Sequence, residues 1–254
     1  MSPLYAAVLQ FSREQLARVS HRPLVIGIQG PQGSGKTTLT RAMLEALPGS
    51  AAVSIDDFYM TRAGQLEVSA AHPGNPYLEH RGYPGTHDIA LGAETLRRLR
   101  AGTATRIPVY DKSAHGGRGD RAPKDQWRPI TQTLDILFIE GWMLGFEPVA
   151  DVSMTDEALK IANSKLPDYQ LWYALIDAWV ILKAVDPAYV LDWRVEAEER
   201  MKAEGKPGLS RADIEDYIRR FLPAYRTWGG APANVPDDRK LDLTVNLQRE
   251  LVSK

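Results

Sequence analysis

Apolar positions along the chain follow two rhythms. Leu4, Val8, Leu9, Phe11, Leu16 and Val19 recur at helical spacing, and Pro23 closes the stretch. This predicts a leading helix within residues 1–22. Leu24-Val25-Ile26-Gly27-Ile28 then forms a short unbroken apolar run, the pattern of a strand covered on both faces. Ala52–Ile55, Leu134–Ile139, Ala178–Ala184 and Leu241–Val245 repeat it. Between the runs lie helical stretches at 37–47, 89–100, 155–163, 169–177, 187–204 and 210–225. Ser210 and Asp213 form a capping-box-like pair for the last of these, whose Tyr217, Phe221, Leu222 and Tyr225 read as core. Strands alternating with helices imply parallel pairing through crossovers, hence an α/β sandwich.

Two segments lack either rhythm. Residues 61–88 and 101–130 are rich in Gly, Pro, His and Arg, and long loops of this kind are usually lids or binding segments. No linker divides the 254 residues, which are expected to form a single domain. With 44% hydrophobic and 25% charged residues, the chain is neither disordered nor fibrous. A net charge of −1 argues against a dedicated nucleic-acid binder. The lack of cysteine excludes disulfides, thiolate metal sites and a cysteine nucleophile, and the cytoplasm is the expected compartment. No signal peptide is expected, because residues 1–10 lack a basic segment followed by a long apolar stretch, and no membrane span, because no run approaches 18 apolar residues.

The chemistry concentrates at the ends of the predicted strands. Gly30-Pro31-Gln32-Gly33-Ser34-Gly35-Lys36-Thr37 fits the phosphate-loop pattern G-x-x-x-x-G-K-[ST] between a strand and a helix. Its glycines let successive amides converge on phosphate oxygens, and the helix that follows, with Thr38 in its first turn, adds a positive end. Lys36 supplies a mobile charge, and Thr37 a hydroxyl for Mg²⁺. Glu140 ends the Leu134–Ile139 run, where a carboxylate beside a phosphate loop can hold Mg²⁺. Asp56 and Asp57 follow the second strand, on the edge where open α/β sheets bind ligands. A phosphoryl-transfer enzyme acting on an alcohol needs such a carboxylate to orient and deprotonate the hydroxyl. The two polar segments add Tyr59, Arg81, His87, Asp88, Tyr110, Lys112, His115, Arg118 and Arg121, a set suited to a small polar acceptor. Arg194 lies on the charged 187–204 helix; that helix is either simply exposed or part of a lid, within 187–208, whose arginine closes on the transferring group.

In combination, the phosphate loop, Ser54-Ile55-Asp56-Asp57-Phe58-Tyr59, Pro108-Val109-Tyr110-Asp111 with His115, and Glu140-Gly141 resemble the phosphoribulokinase/uridine kinase/pantothenate kinase superfamily. Tyr110–Ser113 running into Gly117–Arg121, Glu140–Phe146, Trp193–Glu198 and Phe221–Tyr225 narrow the resemblance to the plant and cyanobacterial D-glycerate 3-kinase family. That resemblance implies a P-loop NTPase sandwich with a five-stranded parallel sheet and a helical lid, ATP and Mg²⁺, and phosphorylation of a small alcohol. It implies that Asp56 is the base and that Tyr110 and His115 belong to the acceptor site. The expected reaction moves the γ-phosphate of ATP to D-glycerate. Thr37, with Glu140 or Asp56, would hold Mg²⁺; Lys36 and Arg194 would neutralise charge. Arg81, His87, Lys112, Arg118 and Arg121 form the pool for the acceptor's carboxylate. Alternatives are a nucleoside kinase with an aromatic slot from Tyr77, Tyr83 and Tyr110, a pantothenate-like kinase with an apolar groove, and an ATP-binding protein without an acceptor.

Overall fold

The computed structural model describes residues 2–150, 156–203, 205, 211–229, 232 and 234–253. The chain opens with α1 (Pro3–Arg18), β1 (Leu24–Gln29), α2 (Lys36–Ala46), β2 (Ser50–Ser54), α3 (Arg62–Ala71) and α4 (Ile89–Arg100). Four short strands follow: β3 (Thr105–Ile107), β4 (Tyr110–Asp111), β5 (Asp120–Arg121) and β6 (Arg128–Ile130). The remainder is β7 (Ile136–Gly141), α5 (Glu157–Lys165), α6 (Gln170–Tyr173), β8 (Ala178–Ala184), α7 (Tyr189–Ala203), α8 (Arg211–Trp228), β9 (Lys240–Val245) and β10 (Leu251–Ser253).

The main sheet has the order β10-β9-β8-β1-β7-β2. Its five strands from β9 to β2 are parallel, as expected; β10 adds an antiparallel edge strand that the hydrophobic pattern does not reveal. Side chains on a strand point alternately to opposite faces, and the central strands fill two cores in this way. Leu24, Ile26 and Ile28 of β1 meet Leu4 and Val8 of α1 and Leu39 and Met43 of α2 on one face. Val25 of β1, with Leu137 and Ile139 of β7, meets Leu96 of α4, Leu159 of α5 and Trp172 on the other. The result is three layers with every functional strand tip on one edge. The register there is tight: Glu140 of β7 lies between Ile28 of β1 and Ser54 of β2.

The segment 61–88 is not wholly a loop. α3 forms inside it although its inward face carries Gln65, whose amide donates to Leu78 O at 2.8 Å. Thr61 caps the helix, and Asp120 of β5 accepts from the Arg62 amide at 2.8 Å. Polar anchoring replaces the apolar stripe on which a helical reading depends. Within 101–130, β3 pairs with β6 and β4 with β5, giving two small antiparallel ribbons. α7 is also less exposed than its charges suggest, since Val190, Trp193 and Glu198 are buried. Ser210 and the residues between α7 and α8, apart from Gly205, lie outside the described residues.

Candidate active site

β1 ends at Gln29 and the chain turns at once into the phosphate loop. Gly33 and Gly35 adopt φ of +78° and +90°, which favour glycine. Gly35 occupies the N-cap of α2 with no side-chain cap, so the amides of the first turn face outward towards any bound anion. Ser34 Oγ is buried and has no hydrogen-bond partner. The Lys36 ammonium folds back onto the loop, donating to Gly30 O at 2.8 Å and Pro31 O at 2.9 Å. Burial pulls the Lys36 pKa below its usual value, against the opposing charges of Glu140 and Asp56. Pro31 and Gln32 shape the loop's rim, and Thr38 lies exposed in the first turn of α2.

Thr37 Oγ1 donates to Glu140 Oε1 at 3.3 Å. Burial raises the Glu140 pKa more than Lys36 lowers it. These oxygens are the hard donors that Mg²⁺ takes in part, with water and phosphate completing its shell, so the residues fit this ion. Among the described residues no group of three or more His, Asp or Glu is placed to cage a metal unaided.

Asp56 sits in a 3₁₀ turn, Ile55–Phe58, immediately after β2. Its Oδ2 lies 2.6 Å from the Lys112 ammonium. Burial alone would raise its pKa; the Lys112 charge and hydrogen bond, with the nearby His87 and a Tyr59 hydrogen bond, hold it below the usual range. His87 stacks on Tyr59 with centroids 4.4 Å apart, and Tyr59 meets Tyr110 edge-on. Burial lowers the His87 pKa to about 4, so its ring is neutral. The Tyr169 hydroxyl accepts from the Gly85 amide and lies 2.7 Å from His87 Nδ1, so its own proton is best used as a donor to that nitrogen. The ring proton then resides on Nε2, a buried donor without a partner.

The structure divides the acceptor pool. Asp56, Tyr59, His87, Tyr110 and Lys112 gather beside the phosphate loop. Arg81, Arg121 and Asp88 hold parts of that group in place, and the rest lie apart from it. Arg81 donates to Gly117 O at 3.0 Å, to Arg118 O and to Lys112 O at 3.4 Å, and lies 5.4 Å from the Tyr110 ring centroid. Arg121 donates to Tyr59 O at 2.9 Å and pairs with Asp88 at 3.0 Å, while Asp88 caps α4. Asp57 pairs with Arg128 at 3.3 Å. His115 pairs with Asp120 at 3.1 Å, and Arg118 lies against His80, both at the exposed rim. Arg194 is held by Glu198 one turn along α7.

One contributor has no sequence signature. Arg249, in the β9–β10 turn at φ +63°, donates from Nε to Gly33 O at 2.8 Å. It also pairs with Glu196 at 2.7 Å and lies 5.4 Å from the Trp193 ring centroid. A Cβ on Gly33 would come 2.5 Å from Trp193 Cβ, and the Gln32 amide donates to the Tyr225 hydroxyl at 2.9 Å. The C-terminal elements thus brace the phosphate loop from behind. Arg249→Ala is expected to weaken triphosphate binding at the loop about tenfold or more, the scale of one charged hydrogen bond. Equilibrium nucleotide binding by calorimetry checks this.

Comparison with known proteins agrees with this geometry. The model of the Phosphoribulokinase / Uridine kinase family matches residues 25–152, from β1 past the tip of β7. The chain belongs to this family. Over 243 residues it is 41% identical to the protein named D-glycerate 3-kinase, chloroplastic, of Arabidopsis thaliana; the match covers 89% of this chain but 53% of the plant protein, about half its length. It is 36% identical to a Schizosaccharomyces pombe protein named Uncharacterized kinase mug58, covering 89% of this chain and 88% of the other. A solved structure titled D-glycerate 3-kinase from Cryptococcus neoformans superposes with a TM-score of 0.90 at 30% identity, over 100% of this chain and 99% of that one. This kinase family shares the phosphate loop and the three-layer fold described above. No described helix is long and apolar enough to cross a membrane.

Proposed function

We propose that this protein is an ATP-dependent kinase that transfers the γ-phosphate to a hydroxyl of D-glycerate, giving 3-phosphoglycerate. One observation carries the reading: a partly buried carboxylate, Asp56, stands beside a phosphate loop and shares its oxygen with a lysine that can bind an anionic acceptor. The relatives named D-glycerate 3-kinase support the choice of acceptor. The reading needs Mg²⁺, held by Thr37 and Glu140, and a cysteine-free chain suits the reducing cytoplasm. When bound, Mg²⁺ would offset the negative charge of the phosphates.

The residues divide the work. The loop amides and Ser34 bind the phosphates, and Lys36 leaves the loop carbonyls for the β- and γ-oxygens. Asp56 receives the acceptor's proton while the hydroxyl oxygen bonds to the γ-phosphorus. The bond from that phosphorus to ADP breaks, and ADP keeps the electron pair. His87 Nε2–H donates to the acceptor, and Tyr59 and Tyr110 wall the site. Arg194 moves from Glu198 towards the transferring group.

A nucleoside acceptor is disfavoured because Tyr77 and Tyr83 do not form a slot. Both are buried, with the Tyr77 hydroxyl on Asp156, the Tyr83 hydroxyl on Arg220 O, and the Tyr83 ring packed on Phe221 and Trp142. A pantothenate-like acceptor is disfavoured because the side chains gathered at this edge, Asp56, His87 and Lys112, are polar. The deciding measurement is ADP release from Mg²⁺-ATP with D-glycerate, nucleosides, pantothenate and sugars. Stimulation by D-glycerate alone, with 3-phosphoglycerate as product, is expected. Stimulation by another acceptor, or by none, overturns the proposal.

A further inference from the structure

A base in phosphoryl transfer must offer an oxygen to the incoming hydroxyl. Here Oδ2 of Asp56 already faces the Lys112 ammonium at 2.6 Å. The two partners differ in freedom. The Asp56 side chain is 22% exposed, is rooted in the turn after β2 and has a Tyr59 hydrogen bond. The Lys112 side chain is 60% exposed and has a four-carbon stem that rotates readily. Its backbone, in contrast, is fixed. Arg81 ties down the carbonyls of Lys112 and Gly117, and Asp111 accepts from the Ser113 amide at 2.8 Å and hydroxyl at 2.6 Å. The pair thus joins an exposed ammonium on an anchored backbone to a carboxylate rooted in its turn.

The fold has little need of this pair. An ion pair with one partner in solvent contributes about 0–1 kcal/mol to stability. The pair nevertheless occupies the carboxylate that the phosphate edge directs towards an acceptor. The other oxygen, Oδ1, is buried out of solvent's reach, so water entering in place of an acceptor would meet a base whose accessible oxygen is taken, and ATP would be spared hydrolysis.

We infer that Lys112 determines acceptor specificity by displacement: it covers Asp56 Oδ2 until a short hydroxy acid arrives, whose carboxylate draws the ammonium away and leaves the oxygen to the hydroxyl. The inference rests on the kinase reading above and names the acceptor class for it. Because the ammonium starts within hydrogen-bond distance of the base, the carboxylate must lie only a few bonds from the reacting hydroxyl. A neutral polyol of the same size has no charge with which to open the pair.

Lys112→Met keeps the stem and removes the charge. ADP release from Mg²⁺-ATP is measured without acceptor, with D-glycerate and with glycerol, its neutral counterpart. The variant is expected to release ADP several-fold faster than wild type when no acceptor is present. Its KM for D-glycerate should rise about 10–100-fold, the scale of a lost charge-assisted hydrogen bond, and the preference for D-glycerate over glycerol should collapse. The KM for ATP should not change, and Lys112→Arg should recover part of the preference. Acceptor-free release at or below the wild-type rate, or an unchanged preference, overturns the inference. Circular dichroism and ATP affinity establish that the variant is folded. If wild type itself ignores D-glycerate, the kinase reading falls, and the displacement is judged by the acceptor-free rate alone.

Discussion

Asp56→Asn should abolish most acceptor-dependent turnover, by about 10²–10⁴-fold, while ATP binds as before. The amide is isosteric with the carboxylate and can keep its place in the Ile55–Phe58 turn, where the backbone is fixed by the Ser54 cap. What it loses is the capacity to take a proton. The phosphate loop follows a different strand, β1, and the hydrogen bonds of Lys36 go to Gly30 O and Pro31 O rather than to Asp56; nucleotide affinity should therefore survive. Single-turnover kinetics alongside equilibrium ATP binding separates the two effects. A variant with near-normal turnover would remove Asp56 from the role of base.

Lys36→Met should act on both steps, lowering turnover about 10²–10³-fold and weakening ATP binding together. Lys36 is buried at the root of α2, next to Glu140 and Asp56, so its charge lies in a region poorly screened by water. Removing it leaves two neighbouring carboxylates facing the phosphates without a compensating cation. Nucleotide binding by calorimetry and turnover at saturating ATP measure the two losses. Normal affinity and turnover in this variant would show that the loop does not bind phosphate in the manner described.

These expectations draw unequally on sequence and structure. The central strands are legible because strands buried on both faces must be almost wholly apolar, and β8 appears at its observed bounds, Ala178–Ala184. The phosphate loop is legible because its function depends on backbone shape, which demands glycines and a lysine at fixed spacing. α3 is hidden, because Gln65 and polar caps hold it and Leu66 points outward. The edge strand β10 is hidden because it is short and half-exposed.

Residue type alone located the phosphate-binding edge of this protein and the carboxylates that line it, since those elements are local and each carries its own pattern. Only the tertiary structure decided how the cations divide. Arg121 and Asp88 brace the site, Lys112 reaches Asp56 across 56 residues of chain, and Arg249 reaches Gly33 across 216. Such contacts are made where distant segments happen to pack side by side, and spacing along a chain carries no record of that.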